Sequence, residues 1–317
     1  MLRWTTARFA QRNLPTPRLD AEVLTAHALA LSRVQLYVQF ERPLEVAELA
    51  AMRELVRRRQ AGESVAYLTG KKEFFGLELE VDARVLVPRP DTETLVDEAL
   101  ARLAARQNSD GDGDGDPARA PRIADVGTGS GAVAIAIAKM LSQAAARTAT
   151  KLGGKDDRTA ADAPPAASAA TRPPPEVIAS DISSGALEVA RRNAERHGAA
   201  ITFVEGDLEQ ALASAAPFDL IAANLPYIPS ADIAGLAPEV RGEPRLALDG
   251  GADGLALVRR LVTAAPGLLR AGGAIVLEIG AGQAPATAAL LAAAGFLDLR
   301  RRRDLGEIER VVSGVKP

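Results

Sequence analysis

The first 70 residues repeat apolar positions with the period of an α-helix. One such run extends from Arg18 to Leu31, and a second extends from Glu45 to Gln60. Because a 3.6-residue period stacks these positions on one side of a helix, we predict a small helical domain over residues 1–70. The positions that would share a face are Leu19, Val23, Leu24 and Ala28 in the first run and Leu49, Met52, Leu55 and Val56 in the second.

A short hairpin is predicted over residues 71–90. The runs Lys71–Phe75 and Leu77–Val81 flank Gly76, which suits a tight turn between two strands. A Pro-Arg-Pro sequence follows at 88–90 and favours an extended backbone, which ends at Asp91 as the cap of a helix predicted from about Thr92 to Ala105. We interpret this segment as a hairpin linker to a larger domain over residues 91–317, and the roles of linker and clamp both stay open.

Strands and helices alternate through the larger domain. Amphipathic runs predict helices from Ser130, from Ser183 to His197 and from Leu255 to Leu269. Such alternation is typical of a mostly parallel sheet with helices on both faces. The predicted fold is therefore α/β, a Rossmann-like sheet. The apolar runs that predict its strands are Ile123–Val126, Val177–Ala179, Ile201–Val204, Leu220–Ala223 and Ala274–Ile279.

Two stretches interrupt this alternation, at residues 107–121 and 142–175. The first contains Asp-Gly repeats from Asp110 to Asp116, and the second is rich in Ala, Pro, Thr and Ser. Neither holds enough apolar surface to offset the entropy of ordering the chain, so we expect both to be disordered loops. The Asp-Gly run imitates a calcium loop, but Pro121 stands where such a loop needs a bidentate Glu. We therefore expect no metal.

Composition removes several classes of chemistry. Of 317 residues 47% are apolar, which suits domains with real cores, and Cys is absent, so disulfides and thiol nucleophiles are excluded. His27 and His197 are the only histidines, and both lie in predicted helices, which argues against a His-based triad or metal centre. The net charge of −3 provides no overall electrostatic attraction to nucleic acid, so no nucleic-acid partner is expected. Apolar runs such as Ala132–Met140 are too short to span a membrane, and we expect a cytoplasmic chain without a signal peptide.

A glycine-rich turn follows the first predicted strand of the sheet. Gly127, Gly129 and Gly131 would let the backbone approach a ligand, and Asp181 ends the next strand, where a carboxylate can accept hydrogen bonds from both ribose hydroxyls of a nucleoside. A dinucleotide remains possible. However, the pyrophosphate-binding motif G-x-G-x-x-G needs its third glycine at position 132, and this position is Ala. A nucleoside cofactor without phosphates fits better.

The sequence Asn224-Leu225-Pro226-Tyr227 follows another buried-looking strand. An amide or exocyclic amine nitrogen is a poor nucleophile because its lone pair is delocalised. A catalyst must therefore accept its N–H hydrogens and stack on its plane. The Asn224 carboxamide oxygen and the Leu225 carbonyl are acceptors, and the Tyr227 ring is a flat platform. Together with the glycine turn, this indicates methyl transfer to a planar nitrogen.

On these and further motifs the chain resembles the HemK/PrmC family of peptide chain release factor glutamine methyltransferases. The resemblance implies that S-adenosylmethionine is the cofactor, and that the substrate is the glutamine of the Gly-Gly-Gln loop of release factors. It also implies that the four residues 224–227 hold this glutamine. The cofactor-binding residues that it implies are Gly127, Thr128, Gly129, Ser130, Gly131, Asp181, Leu208 and Asn224. The matching motifs are Ser64–Gly70, Glu73–Gly76, Val87–Glu93, Asp125–Gly131, Asp181–Ser183, Glu243–Gly251 and Leu277–Gly280.

The chain departs from the family pattern at two site positions. Leu225 stands where the family motif has Pro, and Leu208 stands where the family often places an aromatic residue beside the adenine. Glu243 and Arg245 are interpreted as substrate contacts or, preferably, as a structural ion pair. Two other functions stay open. One is methylation of a ribosomal-protein glutamine or a nucleic-acid adenine, and the other is a binding protein that has lost catalysis through Leu225.

Overall fold

The computed structural model describes residues 1–109, 119–153 and 173–317. The Asp-Gly run from Asp110 to Asp116 and most of the second predicted loop therefore lie outside the described residues. Within them, the chain has a helical N-terminal part, a two-stranded hairpin and a seven-stranded mixed sheet.

The N-terminal part is built from five helices around a small apolar core. The two helices predicted from the apolar period are observed as the second and fourth of them. Ser32 begins the third helix with a reciprocal capping box, in which its side chain accepts from Gln35 N. The core contains Phe9, Leu24, Met52, Leu55, Val56 and Leu68. The helices are α1 (Leu2–Ala10), α2 (Pro17–Ala28), α3 (Arg33–Val38), α4 (Val46–Gln60) and α5 (Val65–Thr69).

The predicted hairpin is present as β1 (Lys71–Phe74) and β2 (Leu77–Glu80), which pair antiparallel. Phe75 and Gly76 both have positive φ, as a tight two-residue hairpin turn requires. An extended segment then leads to a single 3₁₀ turn, Pro90–Thr92, and α6 (Glu93–Ser109). This segment carries the chain from the N-terminal part to the sheet.

The sheet has the order β5-β4-β3-β6-β7-β9-β8. The first five strands in that order pair parallel, and β9 and β8 complete the sheet as antiparallel strands. Apolar clusters cover both faces, which confirms the α/β prediction. The strands are β3 (Arg122–Val126), β4 (Glu176–Asp181), β5 (Ile201–Glu205), β6 (Phe218–Asn224), β7 (Leu269–Glu278), β8 (Leu297–Arg303) and β9 (Glu309–Val315). The remaining helices are α7 (Ala132–Gly153), α8 (Ser184–His197), α9 (Glu209–Leu212), α10 (Pro238–Arg241), α11 (Ala256–Leu268) and α12 (Ala284–Ala293).

Two helices extend into the stretches predicted to be loops. Helix α7 continues to Gly153, and α6 continues to Ser109. The loop prediction from residue 142 was therefore wrong at its start. Ala144, Ala145, Ala146 and Ala149 explain the difference, because alanine has the highest helix propensity and a helix can extend into solvent without burying an apolar face.

A buried arginine joins the helical part to the sheet domain. Arg59, at the end of α4, lies 2.8 Å from Asp20 Oδ2 within the helical part and 2.8 Å from Glu239 Oε2 on α10. Its neighbours Arg57 and Arg58 pair instead with Glu54 and Glu63 on the surface. The Arg57–Arg59 run is thus committed to ion pairs within the chain.

Candidate active site

The glycine turn lies at the carboxyl edge of the parallel strands, between β3 and α7. Gly127, Gly129 and Gly131 all have positive φ. The N–H groups of residues 127 and 128 both donate to Ser180 O at 2.9 Å, which fixes the turn against β4. A side chain on Gly131 would lie 3.2 Å from Ala190 Cβ on α8, so the close approach of the turn to α8 also favours glycine there.

Asp125 supports this turn from below. Its Oδ2 accepts hydrogen bonds from Thr128 Oγ1 at 2.6 Å and from Ala134 N at 3.1 Å. Burial raises the pKa of Asp125 to about 6, and the two donors oppose this rise. Asp125 therefore connects the turn to the start of α7 through hydrogen bonds, and the Thr128 side chain points toward Asp125.

Asp181 ends β4 beside the turn. Its Oδ2 accepts from Gly129 N at 2.9 Å and its Oδ1 accepts from Ser183 N at 2.9 Å. Burial raises the pKa of Asp181, while these backbone donors lower it. The carboxylate is thereby held in a fixed orientation at the edge of a cavity.

This cavity has a volume of about 310 Å³ and lies between the turn, the ends of β4, β5 and β6, and the linker after the hairpin. It brings together most, but not all, of the residues that the sequence predicted. Thr128, Ser130, Gly131 and Tyr227 were also predicted as site residues, but they do not line this cavity. The predicted residues that line the cavity are Gly127, Gly129, Asp181, Leu208, Asn224, Leu225 and Pro226.

Asn224 is the last residue of β6, and its Nδ2 donates to Thr92 Oγ1 at 3.2 Å. This contact turns the amide end of the carboxamide toward Thr92 and leaves Oδ1 for a ligand. Leu225 follows with 2% of its surface exposed and packs toward Gly127. Pro226 completes the part of the motif that borders the cavity.

Tyr227 packs its ring against Gly280, and its backbone carbonyl accepts from Gln283 Nε2 at 2.9 Å. Burial raises the pKa of Tyr227 to about 12, so the phenol stays protonated at neutral pH. A side chain on Gly254 would lie 2.1 Å from the Tyr227 carbonyl oxygen. The Gly-rich segment after β6 therefore supports the Asn224–Tyr227 turn by direct backbone contact.

Glu243 holds the linker over the cavity. It forms an ion pair with Arg89 and accepts from Val87 N at 3.4 Å. Burial raises the pKa of Glu243, and Arg89 opposes this rise. Arg245 pairs with Asp249 instead, so the expected pairing of Glu243 with Arg245 was wrong. No local pattern favours Arg89 as the partner of Glu243, because the two residues are 154 positions apart in the chain.

Comparison with known proteins identifies the family. A model of the PrmC N-terminal domain matches residues 1–70, and a model of a methyltransferase domain matches residues 161–242. A release factor glutamine methyltransferase of Geobacter sulfurreducens is 40% identical over 317 residues, covering 99% of this chain and 95% of that protein. The enzyme of the same name from Bordetella pertussis is 40% identical over 298 residues, with 94% of each chain covered.

The chain belongs to the release factor glutamine methyltransferase family. It is an S-adenosylmethionine-dependent methyltransferase. A solved protein-(glutamine-N5) methyltransferase from Alicyclobacillus acidocaldarius, described as release factor-specific, is 26% identical. That match covers 75% of this chain and 99% of the solved chain, with a TM-score of 0.38. The family assignment rests on the sequence relatives.

Sequence reasoning missed several residues of this methyltransferase that border the cavity. Ile182 and Asp207 follow the ends of β4 and β5, and Leu86 reaches the cavity from the linker. For Asp207 a signal was present, because ligands in such sheets bind at the carboxyl ends of the strands. Leu246 had no such signal, since it arrives from the long connection after β6.

Two classes of feature are absent from the described parts of this family member. In residues 1–109, 119–153 and 173–317 no helix is long and apolar enough to cross a membrane. The same ranges contain no group of three or more His, Asp or Glu that could hold a metal ion. The calcium-like run at 110–116 falls outside them.

Proposed function

We propose that the chain transfers a methyl group from S-adenosylmethionine to the side-chain amide nitrogen of the glutamine in the Gly-Gly-Gln motif of peptide chain release factors. One observation carries the proposal. Asn224 and Pro226 border the same cavity as Gly127, Gly129 and Asp181. An amide-holding motif and a nucleoside-holding turn thus open onto one space, as direct transfer between two ligands requires.

The cavity residues fit the cofactor. The positive-φ glycines leave the floor free of side chains, and the fixed Asp181 carboxylate offers acceptors for a ribose. Leu208 and Leu225 supply apolar surface at 8% and 2% exposure. When bound, S-adenosylmethionine supplies an electrophilic methyl group on a sulfonium centre.

The Asn224–Tyr227 turn activates the substrate amide. Asn224 Oδ1 and the Leu225 carbonyl accept its N–H hydrogens, which concentrates electron density on the nitrogen as it attacks. The held amide nitrogen would accept the methyl group that the bound cofactor supplies, and one N–H proton would leave to water as Asn224 and the Leu225 carbonyl release it. Tyr227 keeps its proton and acts as a packing platform.

We propose that residues 1–70 recognise the protein substrate. A glutamine side chain is too small to identify one protein among many, so specificity needs contacts remote from the methyl group. The helical part exposes Trp4, Val34, Val38 and Phe40, and beside them lies a groove of about 600 Å³. Its ten Arg against seven Asp and Glu contribute less than expected, because the Arg57–Arg59 run is already paired.

A substitution in the groove tests this recognition. Phe40 is 76% exposed and lines the groove, so Phe40→Ala should raise the KM for an intact release factor by about tenfold, equivalent to roughly 1.4 kcal/mol. Cofactor affinity and methylation of a short Gly-Gly-Gln peptide should stay unchanged. The matched control is Leu305→Ala, an exposed apolar residue in the β8–β9 turn. Equal KM values for the two variants would place recognition elsewhere.

The activity itself is tested by incubating the chain with labelled S-adenosylmethionine and a release factor, a ribosomal-protein fraction or DNA. Peptide mass spectrometry then locates the methyl group. We expect label on the Gly-Gly-Gln glutamine of the release factor. Because release factors act in the cytoplasm, we propose that this chain acts there too. Label on a ribosomal protein or on adenine alone would replace this proposal with one of the alternatives, and binding of the cofactor without transfer would indicate a protein that has lost catalysis.

A further inference from the structure

Glu278 is a buried carboxyl group next to the proposed amide-holding residue. It ends β7 with 1% of its surface exposed and is the register partner of Asn224 on β6. Register partners on adjacent parallel strands point to the same face of the sheet and lie about 5 Å apart. Among the described residues, Glu278 Oε2 has no hydrogen-bond partner. Within the part of the chain that the structure describes, one of the two oxygens of this carboxyl is therefore without a partner.

Thr92 lies between these two side chains. It is 3% exposed and its Oγ1 accepts from Asn224 Nδ2 at 3.2 Å. Hydrogen bonding from Thr92, and to a smaller extent from Asn224, lowers the pKa of Glu278, so both side chains lie within reach of its carboxyl group. A hydroxyl has a single proton. Since Thr92 Oγ1 accepts a hydrogen bond from Asn224 Nδ2, the hydroxyl proton of Thr92 is free to be donated, and the nearby acceptor is the Glu278 carboxylate.

Resting on the function proposed above, we infer that Glu278 is a positioning residue for methyl transfer: through the Thr92 hydroxyl it fixes the Asn224 carboxamide with Oδ1 toward the substrate. A carboxylate only accepts, so Thr92 must donate to it and must accept from Asn224. That sequence of donors allows only the amide end of Asn224 to face Thr92. The reversed carboxamide would present N–H groups to the N–H groups of the substrate.

The ionisation of Glu278 should control this orientation. Burial raises its pKa to about 7, with Asp91 raising it further, while Thr92, Arg310 and Asn224 lower it. The charge of Glu278 also raises the pKa of Tyr227, so the two groups are electrostatically coupled. When protonated, Glu278 can donate to Thr92, which then donates to Asn224 Oδ1 and turns the carboxamide over. Methylation should therefore rise as the pH increases through about 7.

Two substitutions remove the directing effect without creating a cavity. Glu278→Gln keeps the shape but can donate or accept, and Thr92→Val keeps the shape but ends the chain of hydrogen bonds. Each should lower kcat at least about tenfold while KM and cofactor affinity stay within about twofold. Thr92→Ser keeps the hydroxyl and should retain most of the activity. A structural role predicts the opposite rank, because Ser leaves a void and Val does not.

Thermal unfolding separates positioning from folding. A folded-state pKa raised from 4.5 to about 7 means that stability falls as the pH rises through this window. Glu278→Gln should therefore be at least as stable as the wild type, with its largest advantage above about pH 7. The matched control is Glu98→Gln, a buried carboxyl bonded to Arg102 and Ser313, which should lose stability and keep kcat.

The side-chain amide signal of Asn224, assigned by NMR through its loss in Asn224→Ala, gives a readout independent of activity. It should shift with pH near 7 in the wild type and stay constant in Glu278→Gln. If the wild-type chain methylates no glutamine, the proposed function is wrong. The pH titration of the Asn224 amide signal then still tests whether Glu278 orients Asn224. Wild-type kcat in both Glu278→Gln and Thr92→Val, or an Asn224 signal insensitive to Glu278, overturns the inference.

Discussion

Leu225 is the position where this chain departs from its family inside the motif, and its replacement tests the packing of the site. The side chain is 2% exposed and belongs to an apolar cluster with Ala124, Val126 and Leu208. Removing a buried Leu side chain costs about 2–5 kcal/mol, and the low end applies here because Leu225 borders a cavity. Leu225→Ala should therefore lower the unfolding free energy by about 2–3 kcal/mol.

Leu225→Pro should behave differently. Proline keeps three of the four side-chain carbons, so the lost burial costs about 0.8 kcal/mol. Proline also lowers the conformational entropy of the unfolded chain, which stabilises the folded state by about 0.4–1 kcal/mol where the backbone permits proline. Asn224 lies in an extended strand, the conformation that the residue before proline prefers. We expect a stability within about 1 kcal/mol of wild type and equal or modestly higher turnover.

Denaturant titration and turnover measurements on the same preparations check these values, with Leu225→Met as the volume-conserving control that should cost less than about 1.5 kcal/mol. Wild-type stability in Leu225→Ala would refute the assigned packing. A folded but inactive Leu225→Pro would show that the Leu225 N–H or side chain has a positive role in the reaction.

Three further substitutions test separate parts of the molecule. Asn224→Ala should lower single-turnover methylation at least about a hundredfold with cofactor affinity by calorimetry nearly unchanged; a wild-type rate would remove Asn224 from the reaction. Arg59→Met should cost about 3–5 kcal/mol in denaturant because it leaves Asp20 buried without its partner, and adding Asp20→Asn should recover much of this loss. Thr128→Val should cost about 1–3 kcal/mol by removing a donor to Asp125, whose pKa is already raised to about 6. Since the lost donor stabilises the ionised form of Asp125, the loss of stability should be larger at pH 8 than at pH 5. Equal losses at the two pH values would contradict this assignment.

Local patterns predicted the elements that carry their own signal. The glycine turn, Asp181 and Asn224–Pro226 all follow apolar runs that end at one edge of a parallel sheet, so the alternation of strands and helices predicts that they meet at the cavity. Strand β8 was not predicted, because Leu297–Arg303 is dominated by arginine and is exposed along its whole length. Such an edge strand is defined by its pairing with β9, which no local pattern contains.

The contacts between distant segments were equally inaccessible from the sequence. Arg89 pairs with Glu243, and Thr92 contacts Asn224 from 132 residues away. Charge and polarity at these positions are compatible with many partners, and the fold selects one. The sequence therefore located the ends of the strands that form the site, whereas the polar groups that orient Asn224 required the tertiary structure.

The arginines of β8 affect how copies of this chain meet one another. Residues 300–303 are consecutive arginines on the outer strand of the sheet, whose backbone edge would otherwise be a template for another strand. A second copy that approached this edge would bring its own row of arginines into contact with the first. Arg300, Arg301 and Arg302 already lie beside Asp298, Glu309 and Glu98 of their own chain. Pairing of a second copy with this edge would disturb these ion pairs, which opposes edge-to-edge aggregation.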